Sequence, residues 1–260
     1  MSEPKSLICD IPVRMNECAP DGTLRRHVWL DYLQHMAAVH AEKLGFGMSA
    51  ILEKKLIWVL SRLKIQLVAS PHYDDVVRIE TYHNGVDRLF AKRQFVLSSA
   101  RTGERFGCAS SFWLCVEVPA MRPRPPLAAL GPALKDNEDR EDFFPSLDKL
   151  PLPENAADPV IHNIRASHID LNNHLNNSYY CQYTLDWVAK KIGKLVHFSE
   201  LQINFNRAMQ FGEDLVVTGT LDGNSFSVEG KDRESGKNSF QAQGVFHPAA
   251  EETLFAALEN

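Results

Sequence analysis

The chain has 260 residues, 44% of them hydrophobic and 23% charged, and carries a formal net charge of −5. This is an ordinary globular composition, and the acidic balance excludes the basic footprint of a nucleic-acid-binding protein. No apolar run approaches the ~20 residues of a membrane-spanning helix, and MSEPKSLICDIPV at the amino terminus lacks the apolar core of a signal peptide. A cytoplasmic location with no membrane partner is therefore expected. The five cysteines are odd in number and show no CxxC or metal-type spacing, so reduced thiols, no metal and no cofactor are expected.

Residues 7–15 form the first expected strand. A helical pattern begins at the capping residue Asp21 or Thr23, with Trp29, Leu30, Leu33, Ala37, Ala41 and Leu44 at three- and four-residue steps, and closes at Gly45 and Gly47. Strand-like runs follow at 56–67, 76–82, 89–98 and 105–118, separated by the turn signals SPHYDD, HNGVD and ARTGE. Residues 119–159 hold nine prolines and the charge cluster KDNEDRED, which reads as a linker. After it the pattern repeats: a strand at 160–166, a long helix ending near Gly193, and strands at 200–206, 214–221, 226–232 and 238–246. LKIQLVASPHYDDVVRI lies against LQINFNRAMQFGEDLVV at a constant offset of 138. Each half is thus a strand, a long helix and four strands, an α+β repeat.

The junction of strand and helix in the second half reads SHIDLNNHLNNSYY. Asp170, Asn172 and His174 stand at alternate positions, and alternate residues on extended chain point to one side. Carboxylate, amide and imidazole can then converge. Asn176 or Asn177 is a plausible helix N-cap. Taken singly, each of these residues reads as a polar turn residue; the set of three reads as a site. The first half offers CAPDGTLRRH instead, which keeps Asp21 and loses the Asn-x-His pattern. Cys181 reads as a small core residue, and His27, His35 and His40 come without a carboxylate pattern for metal binding.

D-L-N-N-H-L-N-N-x-x-Y resembles the D-x-N-x-H-V-N-N-x-x-Y signature of the acyl-acyl carrier protein (acyl-ACP) thioesterases. KLIWVLSRLKIQL, SPHYDDVVRIETY and FGCASSFWLCVE are similar to further stretches of that family. The resemblance implies two tandem hotdog domains, each a long helix wrapped by a curved antiparallel sheet, forming an internal pseudo-dimer. The domains are placed at 1–118 (acyl pocket, non-catalytic) and 160–260 (catalytic), around the 119–159 linker. It also implies hydrolysis of fatty acyl-ACP thioesters, with Asp170, Asn172 and His174 as catalytic residues, and an acidic carrier protein as partner. Asp170 is the candidate base or nucleophile, and amides around Leu175–Asn177 are candidate oxyanion donors. Asn176, Asn177, Tyr180 and Trp58 are candidate substrate-binding residues. Arg25-Arg26, Arg122-x-Arg124 and Lys190-Lys191 gain interest only because the carrier is acidic. One departure is expected: the family's glutamate after the helix falls on Met209. An acyl-CoA thioesterase and a non-catalytic acyl-thioester binder stay open as alternatives, as do homodimer formation and chain length.

Overall fold

The computed structural model describes residues 5–131, 134 and 137–249. It divides into two compact units, Met1–Val13 with Tyr32–Leu147, and Arg14–Asp31 with Asp148–Asn260. In the first, five antiparallel strands run in the order β1-β3-β4-β5-β2: β1 (Ser6–Pro12), β2 (Leu56–Leu67), β3 (Val76–Asp87), β4 (Phe90–Ser99) and β5 (Arg105–Glu117). Helix α1 (Val28–Lys43) turns Leu33, Met36, Ala37, His40 and Ala41 inward, and the short α2 (Met48–Glu53) follows it. The apolar spacing fixes which face of α1 is buried.

The start of α1 differs from the sequence expectation. Asp21 and Thr23 do not begin the helix; they close a turn bridged by Cys18 and Leu24. The Asp21 carboxylate accepts from Thr23 N (3.0 Å) and Thr23 Oγ1 (2.8 Å). Aspartate has spent its capping oxygen on this turn rather than on the helix.

In the second unit the order is β8-β11-β10-β9-β7, all antiparallel: β7 (Ala157–Asn163), β8 (Val196–Phe205), β9 (Asp214–Asp222), β10 (Ser225–Asp232) and β11 (Asn238–Pro248). Helix α4 (Asn177–Ile192) lies on this sheet through Tyr180, Thr184, Trp187 and Val188, and ends at Gly193, whose φ of 71° is the left-handed C-cap conformation. Trp187 packs so closely on β9 that a Cβ at Gly219 would stand 3.2 Å from its ring and 2.6 Å from Ser227 O. β8 begins at Val196, four residues earlier than expected, because Val196–Phe198 pair with Phe246–Pro248.

The proline-rich stretch is not a free tether. It holds β6 (Arg122–Arg124), paired with β5, and helix α3 (Pro126–Leu130), and it buries Leu134, Asn137, Leu147 and Leu150. Tyr82 Oη donates to Glu141 O (2.8 Å), Gln94 Nε2 donates to Asp142 Oδ1 (2.9 Å), and Lys92 pairs with Asp142. Proline bars a segment from a sheet interior, but the intervening polar residues still stitch it down. Pro132 and residues 250–260 of the second expected domain lie outside the described residues. Among the described residues all five cysteines are free, and no helix is long and apolar enough to cross a membrane.

Candidate active site

The site residues stand on a short, bonded path between β7 and α4. Ile164 is fully buried; its N–H donates to Glu213 O (2.9 Å) and its carbonyl accepts from Gly212 N (2.8 Å). A single 3-10 turn, Ala166–His168, follows. The chain then reverses between Ile169 and Leu175, which pair as an isolated antiparallel bridge. Asp170 N–H donates to His174 O (2.9 Å), and Asn173 sits at φ 61°, a left-handed position that asparagine tolerates.

This geometry corrects the expectation of an extended strand: Asp170, Asn172 and His174 are three residues of one tight turn. Asp170 Oδ1 accepts from Asn172 N (2.8 Å), and Asn172 Nδ2 stands 3.5 Å from Asp170 Oδ2. Asp170 and His174 are half-buried and Asn172 is exposed. The turn brings Asp170 and Asn172 into direct contact, but the His174 imidazole bonds to neither among the described residues.

Asn176 is the N-cap of α4, accepting at Oδ1 from Ser178 N (2.9 Å) and Ser178 Oγ (3.0 Å). Asn176→Ala should lower stability by about 1 kcal/mol, whereas Asn176→Asp should leave it nearly unchanged. Urea denaturation of the two variants checks this. The oxyanion assignment also needs correction. Leu175 N–H donates to Met209 O (2.8 Å) and Asn176 N–H to His168 O (3.0 Å), so two of the three candidate amides are spent inside the protein.

Tyr180 is buried at the base of the turn. It is 2% exposed, and its hydroxyl accepts from Met209 N (3.1 Å), tying α4 to the loop after β8. Burial raises its pKa. Met209 is completely buried, whereas Ala208 beside it is exposed. Glu213, the carboxylate nearest in sequence, bonds Arg207 Nη2 (2.6 Å) and Gln210 N (2.7 Å). Trp58 belongs to the first unit, where its Nε1 donates to Phe46 O (3.1 Å). Arg26 is buried rather than solvated: Nε donates to Phe198 O (3.1 Å), and burial lowers its pKa to about 10. Arg122, Arg124, Lys190 and Lys191 are exposed, and Lys191 pairs with Asp158.

The sequence reading passed over a cluster of rings beside the turn. His168 Nδ1 lies 3.1 Å from Tyr183 Oη and 3.2 Å from Arg165 N, and its ring is 4.6 Å from that of Tyr179. His162 stacks on Tyr183 at 3.9 Å, and its Nε2 is buried without a partner. The available signal was the spacing Arg165-x-x-His168, which repeats as Arg14-x-x-Glu17 with the same 3-10 turn.

Burial holds His162 down to about 4, and likewise His27, with a nearby cation helping in each case. The unfolded chain takes up these protons below 6.5, whereas the fold resists them until about pH 4. Their contribution to stability is therefore complete above pH 6.5 and is lost as pH falls toward 4. Urea midpoints measured across that window should fall with acidification; a rising midpoint would contradict the assignment.

The two halves carry the same turn. Every residue from Arg14 to Leu24 has its counterpart 151 positions later, and the backbone bonds coincide: Ala19 N to Thr23 O (2.8 Å) matches Asp170 N to His174 O (2.9 Å), and Arg25 N to Glu17 O (2.9 Å) matches Asn176 N to His168 O. Asp170 therefore corresponds to Ala19, and Asp21 corresponds to Asn172. Asp21 is not a retained catalytic aspartate. It bonds His197 Nε2 (2.7 Å), and the histidine and Thr23 bonds keep its carboxyl below the usual range despite burial.

Family models for the N-terminal and C-terminal domains of acyl-ACP thioesterases match residues 9–125 and 155–248. The chain belongs to the acyl-ACP thioesterase family. It is 26% identical to oleoyl-acyl carrier protein thioesterase 2 of Arabidopsis thaliana over 258 residues, 88% of this chain and 69% of that one. With oleoyl-acyl carrier protein thioesterase 1 of the same plant it shares 25% identity, over 76% of this chain and 59% of that one. Both relatives are described as chloroplastic. Among solved structures, an acyl-ACP thioesterase from Bacteroides thetaiotaomicron is 25% identical with a TM-score of 0.83, covering 95% of this chain and 100% of that one. The 12:0-ACP thioesterase of Umbellularia californica shares the fold at a TM-score of 0.79 and 21% identity, over 94% of each chain. The two helix-on-sheet units are the hotdog folds of this thioesterase family.

Proposed function

We propose that the protein hydrolyses the thioester of fatty acyl-ACP, releasing a free fatty acid and the carrier thiol. The observation that carries this reading is the Asp170–His174 turn at the head of α4, in a chain of the acyl-ACP thioesterase family. Asp170 acts as the general base: its carboxylate takes a proton from water, and the hydroxide adds to the thioester carbon. Collapse of the tetrahedral intermediate expels the carrier thiolate, which takes up the proton. The Asn172 amide, exposed and only loosely held at 3.5 Å from Asp170, donates to the developing oxyanion, with His174 beside it. This replaces the spent amides of Leu175 and Asn176. No metal or organic cofactor enters the scheme.

Steady-state hydrolysis of acyl-ACP and acyl-CoA at rising salt tests the reading. Turnover on the acidic carrier should fall with salt while turnover on CoA changes little, because only a protein–protein encounter is strongly steered by charge. Absence of turnover on both carriers at every chain length would overturn it. The two committed amides and the buried Met209 favour a second reading, a non-catalytic acyl-thioester binder, and a single-turnover assay with acyl-ACP separates the two.

A further inference from the structure

The second unit has a cavity on the side of α4 turned away from its sheet. Gln182, Leu185, Asp186 and Ala189 line it, one helical face opposite the Tyr180, Thr184, Trp187 and Val188 face that packs on the strands. The rest of the wall comes from the first copy of the turn, Cys18–Asp21, from Arg25, Arg26 and His27 just after it, and from His197 on β8. All of these residues belong to one compact unit. The cavity has a volume of about 310 Å³, near the lower end for small-molecule sites.

Asp21 and His197 are a buried pair in this wall, their side chains 8% and 9% exposed. Asp21 Oδ2 accepts from His197 Nε2 (2.7 Å), and burial keeps the imidazole below the usual histidine range, so the ring is neutral and its Nδ1 is left as an acceptor. The guanidiniums of Arg25 and Arg26 bond main-chain oxygens, Arg25 that of Asn16 and Arg26 that of Phe198. The carboxylates of Asp21 and Asp186 balance them, so a charged ligand would enter a cavity whose charges are already matched. Among the described residues the side chains of His27, Gln182 and Asp186 make no hydrogen bond. Single donors and acceptors set among Leu185, Ala189 and Val196 suit a chain of amides better than an ion or a hydrocarbon.

We propose that this cavity is a second ligand site, which binds an uncharged, amide-bearing chain of the kind pantetheine represents. Amide N–H groups of the chain donate to His197 Nδ1 and to the Asp186 carboxylate, and its carbonyls accept from Gln182 and His27. The site is separate from the Asp170 turn and does not rest on the thioesterase reading. Ala19 and Thr23 stand here where the other copy has Asp170 and His174, so this copy of the turn brings no counterpart of the proposed base to the cavity.

The experiment is amide-resolved NMR of the full chain titrated with reduced pantetheine. Amides within 18–27 and 182–197 should shift saturably in the native protein. Ala189→Phe, which fills the cavity from a half-buried position on α4, should abolish those shifts. Gln182→Ala should weaken binding about fivefold, the scale of one hydrogen bond. Absence of a saturable response in the native protein overturns the proposal, as does a response that Ala189→Phe leaves intact. Should Ala189→Phe not fold, Gln182→Ala decides the matter, and unchanged affinity there overturns it. Coenzyme A and holo-ACP both carry such an arm; at least one should reproduce the shifts, and the one that does so at the lower concentration is the natural bearer. If neither does, the proposal is overturned. Acyl-ACP turnover measured on the same native sample is read separately: cavity shifts without turnover remove the thioesterase reading and keep the second site, and turnover without cavity shifts does the reverse.

Discussion

Asp170→Asn should leave the chain folded and reduce thioester turnover by at least ~10²-fold, the lower scale of a general-base contribution. The substitution is chosen because Asp170 has two duties. Its Oδ1 accepts from Asn172 N and helps close the turn, and its carboxylate is the proposed base. Asparagine keeps an oxygen for the first duty and cannot perform the second. Asp170→Ala removes both, so it should match the loss of turnover and show a larger loss of stability. Thermal melts beside acyl-ACP kinetics make the comparison. An Asp170→Asn protein with near-native turnover would move the chemistry elsewhere, and His168, beside the turn, would be the next residue to test.

Met209→Glu should destabilise the protein by about 3 kcal/mol or more, the scale of an uncompensated buried charge, and should restore no family-like acid or base. Met209 is fully buried, with its backbone held by Leu175 and Tyr180. The cation near its sulfur, Arg207 at 3.2 Å, is already shared between Glu213 (2.6 Å) and Asp232 (3.1 Å). A third carboxylate there would find no free charge. For a chain of this size the melting temperature should fall by roughly 6–12 °C. Ala208→Glu, at the exposed neighbour, should be tolerated within about 0.5 kcal/mol. If Met209→Glu is as stable as the native protein and faster, the buried assignment of this position is wrong.

Much of this architecture could be read from residues alone, and the misreadings share a cause. Strands and both long helices follow from apolar periodicity, which records burial directly. The motif's position and the Asn176 cap were legible because capping chemistry is local. What the letters did not disclose is where a polar side chain spends its bonds. Alternate spacing made Asp170, Asn172 and His174 look like one face of a strand, whereas Asp170 used an oxygen, and Asn173 a left-handed φ, to fold them into a turn. Asp21 was the aspartate the first half keeps, and the backbone register places it opposite Asn172 rather than Asp170. Prolines marked 119–159 as a tether, yet proline forbids only the ladder bond, and Tyr82, Lys92 and Gln94 supplied other attachments. Arg93 on β4, only 2% exposed, drew no attention because a lone arginine in a strand gives no hint of burial.

The matched turns at 14–24 and 165–175 bear on how such a protein diversifies. What the two copies share is a set of main-chain bonds and one left-handed position, filled by Gly22 in one copy and Asn173 in the other. None of those bonds asks for a carboxylate at the position of Asp170 or an imidazole at that of His174. The same backbone bonds form without a carboxylate or an imidazole there, as the alanine and threonine at 19 and 23 illustrate. By the same logic the loop is a ready socket for grafting. Ala19→Asp with Thr23→His would set the same residue pair in the first copy, on a backbone already bent to receive it.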